Sequence, residues 1–404
     1  MNGATPGPVH GIDFGTSTSA LLIGRQDGTV TGVKDPAVPH AGLSIRTAVC
    51  PTPRGELAVG QAAYAARMAN PVEYHAEFKR HFGESVPLMA AGRARQPHEL
   101  TGEMLSFLRS CALKQVPQEP QAVVITVPAS WESGNRDLML DVAETAGYRR
   151  STVRLVTEPV AALAHAFAEH RPEDRHCFLV YDLGGGTFDV AVARSVGAEF
   201  ELAGAPGGLA DVGGGAFDRE ILRWLAARLP DGARAALERP AHDHQALRER
   251  LQLLAQCQTL KHQLSLVNDH TEYFTSNGGV VPVTMDSGEL AALLGPFLDR
   301  TLTECERTLA AAGLGWADVD AVVPVGGSSR LGAVGAALSD RSKRTVRLIP
   351  DPDLAVADGA VLLARRVLAE GELPPGLSPG DPVARQLRAG LNHDLIARVR
   401  RHAR

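Results

Sequence analysis

Residues 11–19 read Gly-Ile-Asp-Phe-Gly-Thr-Ser-Thr-Ser, and residues 181–189 read Tyr-Asp-Leu-Gly-Gly-Gly-Thr-Phe-Asp. Each stretch closes an apolar run on an Asp, turns on glycine beside hydroxyl side chains, and re-enters an apolar run, at 20–23 and at 190–193. The pattern is strand, turn and strand, met twice. Glycine lets backbone N–H groups come close to an oxyanion, and the hydroxyls add donors. Two copies predict two similar lobes closing on one phosphate-bearing ligand. A third glycine turn, Gly326-Gly327-Ser328, follows a buried-strand run and opens a helix whose first N–H groups suit a phosphate or a ribose.

Outward from these turns the chain alternates between strand and helix patterns. Residues 10–33 read as a hairpin or meander, and 34–120 are mixed, with helical stretches at 61–68 and 99–114. Residues 122–127 are small and β-branched, a buried strand ending at Pro128. Ser133 can cap a helix stopped by Gly147, and the strand 153–156 leads through Thr157-Glu158-Pro159 into a helix to about 169. The second half repeats the order: strands at 177–182, 190–193 and 199–203, a helix after 211–218 and a long polar helix over 241–266. Strand-like residues 271–284, a helix over 287–312, the strand 321–325, a helix from 330 and a last helix over 353–368 follow. Strands alternating with helices, with glycine turns at strand ends, predict an α/β fold with its ligand at the carboxyl ends of the strands.

Composition narrows the function classes. The 404 residues carry a formal net charge of −5, which argues against a nucleic-acid-binding protein. Five scattered cysteines, never spaced C-x-x-C, indicate no disulfide framework or zinc site, and no apolar run approaches a membrane span. With no signal-peptide pattern in residues 1–10, a cytoplasmic location is expected. Lysine stands only at 34, 79, 114, 261 and 343, all other basic residues being arginine. A retained lysine therefore marks a place where a compact ammonium does what a guanidinium fork cannot.

The three turns, in this order, resemble the actin-like ATPase superfamily, and their wording resembles the 70-kilodalton heat-shock (DnaK-type) chaperone family. Phe78-Lys79-Arg80, residues 125–129, Glu158-Pro159, residues 213–218 and 325–330, and Pro352-Asp353 to Ala360 extend the likeness from Gly11 to about 368. The resemblance implies an actin-like (ribonuclease H-like) fold: two lobes, each a mixed sheet flanked by helices, with a nucleotide cleft between them. Lobe I would occupy 1–170 and lobe II 171–370, with a Pro/Gly linker and a basic helix over 371–404.

It also implies ATP or ADP with Mg²⁺, and K⁺ as a further ion. Asp13, Glu158 and Asp182 would surround the metal–phosphate site, and Lys79 would reach the γ-phosphate and the attacking water, which Asp13 or Asp182 would orient. Thr16, Ser17 and Thr187 would bond phosphate oxygens over the cradle of Gly15, Gly184, Gly185 and Gly186. Asp189 would join Asp13 and Asp182 in holding metal or K⁺. Gly214 and Gly215, from the family's second glycine motif, would also meet the nucleotide. Lys261, His262 and Ser265 match the adenosine pocket, completed by Gly326, Gly327, Ser328, Arg330 and Asp353. The family has Arg where His262 stands and an acidic residue where Gln258 stands, so base selectivity is open. Taken alone, Lys79 reads as a surface lysine and His262 as a solvated imidazole.

The resemblance predicts a slow ATPase that controls an unidentified protein partner, a co-chaperone or client handler, through lobe closure. About 34 residues follow Glu370; a chain without the family's peptide-binding domain is expected, its tail a solvated helix or a partner contact. A filament-forming ATPase, a small-molecule kinase of the superfamily and a binding-only pseudo-ATPase are the alternatives.

Overall fold

The computed structural model describes residues 7–370, apart from 198, 230, 232–233, 235–236, 238–242 and 277–278, so the expected linker and basic helix lie outside the described residues. The first glycine turn stands between Val9–Phe14 and Thr18–Gly24, which pair antiparallel with Asp13 opposite Ala20. Val30–Gly32 completes the meander, and Ala122–Val127 joins Val9–Phe14 in parallel. Val153–Thr157 forms the far side.

The second sheet repeats this plan. Cys177–Leu183 is antiparallel to Phe188–Val196, with Asp182 opposite Asp189, and parallel to Ala321–Val325. Glu199–Leu202 lies outside Phe188–Val196, and Thr345–Val346 outside Ala321–Val325. In both sheets the central strand carries the Asp near its carboxyl end, which brings the two turns to equivalent places in the two lobes.

Two helices join the lobes by exchange. Glu158–Ala166 follows the first sheet in sequence yet packs on strands of the second, while Ala355–Glu370 follows the second and lies across Val9–Phe14 and Ala122–Val127. They share one core with Val9 and Val124 of the first sheet and Phe178, Val180 and Val323 of the second. Small residues allow this closeness. A Cβ on Gly359 would run into the Ala161 carbonyl oxygen, and one on Gly11 would stand 2.7 Å from the Ala357 carbonyl oxygen. Interiors packed this tightly transmit displacement rather than absorb it.

Several boundaries differ from the sequence reading. Ser133 is the first helical residue and Glu132 holds the cap position, with no side-chain cap bond. Residues 271–284 belong to a two-stranded hairpin, Asp269–Ser276 and Gly279–Asp286. The third glycine turn opens a single 3₁₀ turn, Gly327–Arg330, before the helix Gly332–Ser342. The polar helix His244–Leu264 matches expectation and is capped by Asp243, whose carboxylate accepts from the Gln245 and Ala246 N–H groups.

Candidate nucleotide site

A cleft of about 530 Å³ opens between the two sheets. It gathers Asp13, Gly15, Thr16 and Ser17 from the first turn and Asp182, Gly184, Gly185, Gly186, Thr187 and Asp189 from the second. Lys79, Glu158, Gly326, Gly327 and Asp353 line it too. The two turns face each other closely: a Cβ on Gly185 would lie 2.5 Å from Ser17 Oγ, and one on Gly186 would lie 2.8 Å from Thr16 Cβ. The glycines are there because nothing larger fits.

Lys79 sits on the 3₁₀ turn Phe78–His81 and is 7% exposed, so it is not the surface lysine its short motif allowed. Its Nζ donates to Glu158 Oε1 at 2.7 Å, the carboxylate standing on the first residue of its helix. Thr126 Oγ1 donates to Asp13 Oδ1 at 3.2 Å, and Thr187 Oγ1 to Asp189 Oδ2 at 3.0 Å.

The charges are unbalanced. Burial, then the Glu158 carboxylate, pushes Asp13 up to about 7 against the pull of Lys79 and Thr126. Burial and Glu158 push Asp189 up to about 6, and the same causes lift Asp182 well above the usual carboxylate range. Burial works against the charge on Lys79, but Glu158 and Asp13 outweigh it and raise the ammonium above its ordinary value. Crowded carboxylates around one ammonium fit a site completed by a cation. Among the described residues no three His, Cys, Asp or Glu side chains are grouped to hold a metal directly.

The expected base side is built differently. Lys261, His262, Ser265, Gly214, Gly215, Ser328 and Arg330 do not line the cleft cavity. Lys261, 4% exposed, pairs with Asp218 at 2.7 Å and donates to the Gly214 carbonyl at 2.9 Å. The Gly214 and Gly215 N–H groups are spent on the carbonyls of Gly184 and Gly185, at 3.0 and 2.7 Å, and Ser328 Oγ donates to Gly184 at 2.9 Å. These residues brace the second turn from behind. Ser265 Oγ donates to the His262 carbonyl, closing its helix at 2.7 Å. Partial desolvation by its neighbours, then the Lys261 charge, lowers the His262 imidazole below its ordinary value. Arg330 pairs with Asp353 and Asp351 beside the cleft.

Residues without an assigned role also meet here. Arg80 donates to the Gly186 carbonyl, Ser44 Oγ to Asp353 Oδ2 at 3.1 Å, and Arg46 to Gln258 Oε1 at 3.3 Å, each bond joining segments far apart in sequence. Arg80 stood inside the quoted Phe-Lys-Arg motif; Ser44 and Arg46 lay in a stretch with no periodic signal.

Sequence comparison accords with this geometry. The sequence model of the Hsp70 protein family matches residues 84–372. The HscA homolog chaperone of Acidithiobacillus ferrooxidans is 30% identical over 377 residues, covering 88% of this chain and 57% of that protein. The DnaK chaperone of Halobacterium salinarum is 32% identical over 364 residues, covering 88% and 55%. The HscA homolog of Azotobacter vinelandii is 31% identical over 389 residues, covering 89% and 58%. The chain thus spans little more than half the length of these relatives.

Proposed function

Because this chain belongs to the Hsp70 family, we propose that it binds ATP with Mg²⁺ between its two glycine turns, hydrolyses it slowly, and uses lobe closure to control a partner protein. The carrying observation is the facing of the turns, Thr16 and Ser17 against Gly185 and Gly186, beside Asp13, Glu158, Asp182, Asp189 and the buried Lys79. Phosphoryl transfer depends on positioning and charge neutralisation more than on covalent chemistry, and this cleft offers both. Bound Mg²⁺ would neutralise developing phosphate charge, with Asp13, Asp182 and Asp189 the residues to hold it through water; Asp189 also suits K⁺.

The chain's own groups take distinct parts. Lys79, locked to Glu158 and holding its proton, presents a fixed positive charge to the phosphates. Asp13, with its carboxyl near 7 and its orientation set by Thr126, suits orientation of the attacking water. Arg80, Ser44 and Arg46 tie the lobes together, so a nucleotide that favours closure shifts the population toward a shape a co-chaperone or client handler can read. We assign this chaperone-like accessory role to the cytoplasm.

Single-turnover hydrolysis tests the reading. The native protein should convert bound ATP to ADP and phosphate, and Asp13→Asn, Lys79→Ala and Asp182→Asn should each slow that step by about 10²-fold, the scale of losing one electrostatic stabiliser. Equal rates in all four would refute the assignment. ATP held unhydrolysed by the native protein would make it a binding-only relative.

A further inference from the structure

A second cavity, of about 190 Å³, lies between the lobes and beyond the nucleotide cleft. Tyr64 and Arg67 reach it from the first half of the chain, and Arg219, Leu251, Leu254 and Gln258 from the second. Its carboxylates are already engaged: Asp218 pairs with Lys261 at 2.7 Å, and Glu77 with Arg80 at 3.4 Å. Its guanidinium groups lack carboxylate partners among the described residues: Arg219 lines the cavity at an exposed position, and Arg67 stacks 3.4 Å from the Tyr64 ring centre and donates to the Tyr64 carbonyl. Arg46 also lies over Tyr64, 3.8 Å from the ring centre, with Gln258 as its hydrogen-bond partner.

We infer that this cavity binds a small organic phosphate and that the ligand clamps the lobes together. Two guanidinium groups without carboxylate partners among the described residues, Arg67 and Arg219, line it, and such forks bond phosphate oxygens in pairs. The wall of Leu251 and Leu254 on the helix His244–Leu264 suits an apolar body attached to the phosphate. The volume admits a ring-sized phosphate ester. Because Arg67 and Arg219 come from opposite halves, one anion bonded to both would oppose opening. The cavity communicates with the nucleotide site, since Gly215 beside it bonds the Gly185 carbonyl of the second turn at 2.7 Å. The nucleotide arm of the test rests on the ATPase reading; the binding arm does not.

Phenyl phosphate is the probe, added to protein already saturated with ADP so that the cleft is filled. It should slow release of a fluorescent ADP by about fivefold or more, the lower end of coupling between linked sites. Arg219→Gln, at an exposed position, should abolish the slowing while leaving ADP release without probe unchanged, and Arg67→Gln should do the same. No slowing in the native protein, or undiminished slowing in Arg219→Gln, would overturn the inference. Equal potency of inorganic phosphate would overturn the assignment of an organic body. Failure of ADP to bind would refute the ATPase reading instead. The cavity would then be judged by the melting temperature alone, raised by phenyl phosphate in the native protein and not in Arg219→Gln if the inference holds, and unchanged in both if it fails.

Discussion

Replacing Asp13 with Asn should stabilise the nucleotide-free protein at neutral pH. Asp13 is pushed from 3.8 to about 7, chiefly by burial and by Glu158. A carboxyl whose folded-state value lies above its unfolded one binds more protons when folded over the interval between them. Its stabilising contribution is therefore complete below about pH 4 and is lost as pH rises toward 7. Three units at about 1.4 kcal/mol each set a ceiling of about 4 kcal/mol, and sharing among coupled neighbours brings the expectation to about 2–4 kcal/mol. For a chain of this size that is a rise in melting temperature of roughly 2–5 °C at pH 8, shrinking to none near pH 4. Asn can still accept the Thr126 hydrogen bond, so the geometry is kept. Circular dichroism melts of both proteins in chelator, from pH 4 to 8, read the difference. A difference that does not grow with pH, or an Asn variant less stable at pH 8, would refute the electrostatic account.

The buried His10 works with the opposite sign: burial and the Arg109 charge hold it down to about 4. Its unfolded form gains the proton first, so stability falls as pH drops from about 6.5 to 4. His10→Leu should remove about 2 kcal/mol of that acid-side loss in denaturant titrations at pH 4.5 and 7. Lys79→Ala strands Glu158 in the cleft and should cost about 3–5 kcal/mol by chemical denaturation, a loss reduced when Glu158→Gln is added. Gly359→Ala drives a methyl into the Ala161 carbonyl where the two joining helices meet. It should destabilise by about 1–3 kcal/mol or more, whereas Gly335→Ala, in open space on an outer helix, should not.

The facing turns were legible because they are local: an apolar strand, an Asp, glycine and hydroxyls are set by neighbours in the chain. The carboxylates and the lysine followed, with Asp13, Lys79, Glu158, Asp182, Thr187 and Asp189 all meeting in one cleft. Within residues 34–120 the helices Gln61–Ala66 and Pro97–Gln115 were legible, but the strands were opaque because they are short. Ile45–Arg46, Leu57–Val59, His75–Ala76 and Leu88–Ala90 have two or three residues each, too few for a period-two signal. The exchange of Glu158–Ala166 and Ala355–Glu370 between sheets left no trace beyond small residues at 11, 161 and 359, since sequence order says nothing of which sheet a helix covers. Lys261 was singled out by its rarity and by the family likeness to an adenosine pocket. Its ammonium is spent on Asp218 and Gly214, a bracing role that composition cannot tell from ligand contact. Ser133 carried a capping residue type, yet the helix began one residue earlier than a Ser cap requires.

Calorimetric titration of Mg·ADP into native protein and Gly186→Ala puts the most direct question to the facing turns. A methyl at residue 186 would stand 2.8 Å from Thr16 Cβ and wedge the turns apart with no change of charge. One nucleotide per chain in the native protein, and binding weakened about tenfold or more in the variant, equivalent to ~1.4 kcal/mol, is the expected result. Equal affinity in the two proteins would contradict the central claim that these turns close on the phosphates.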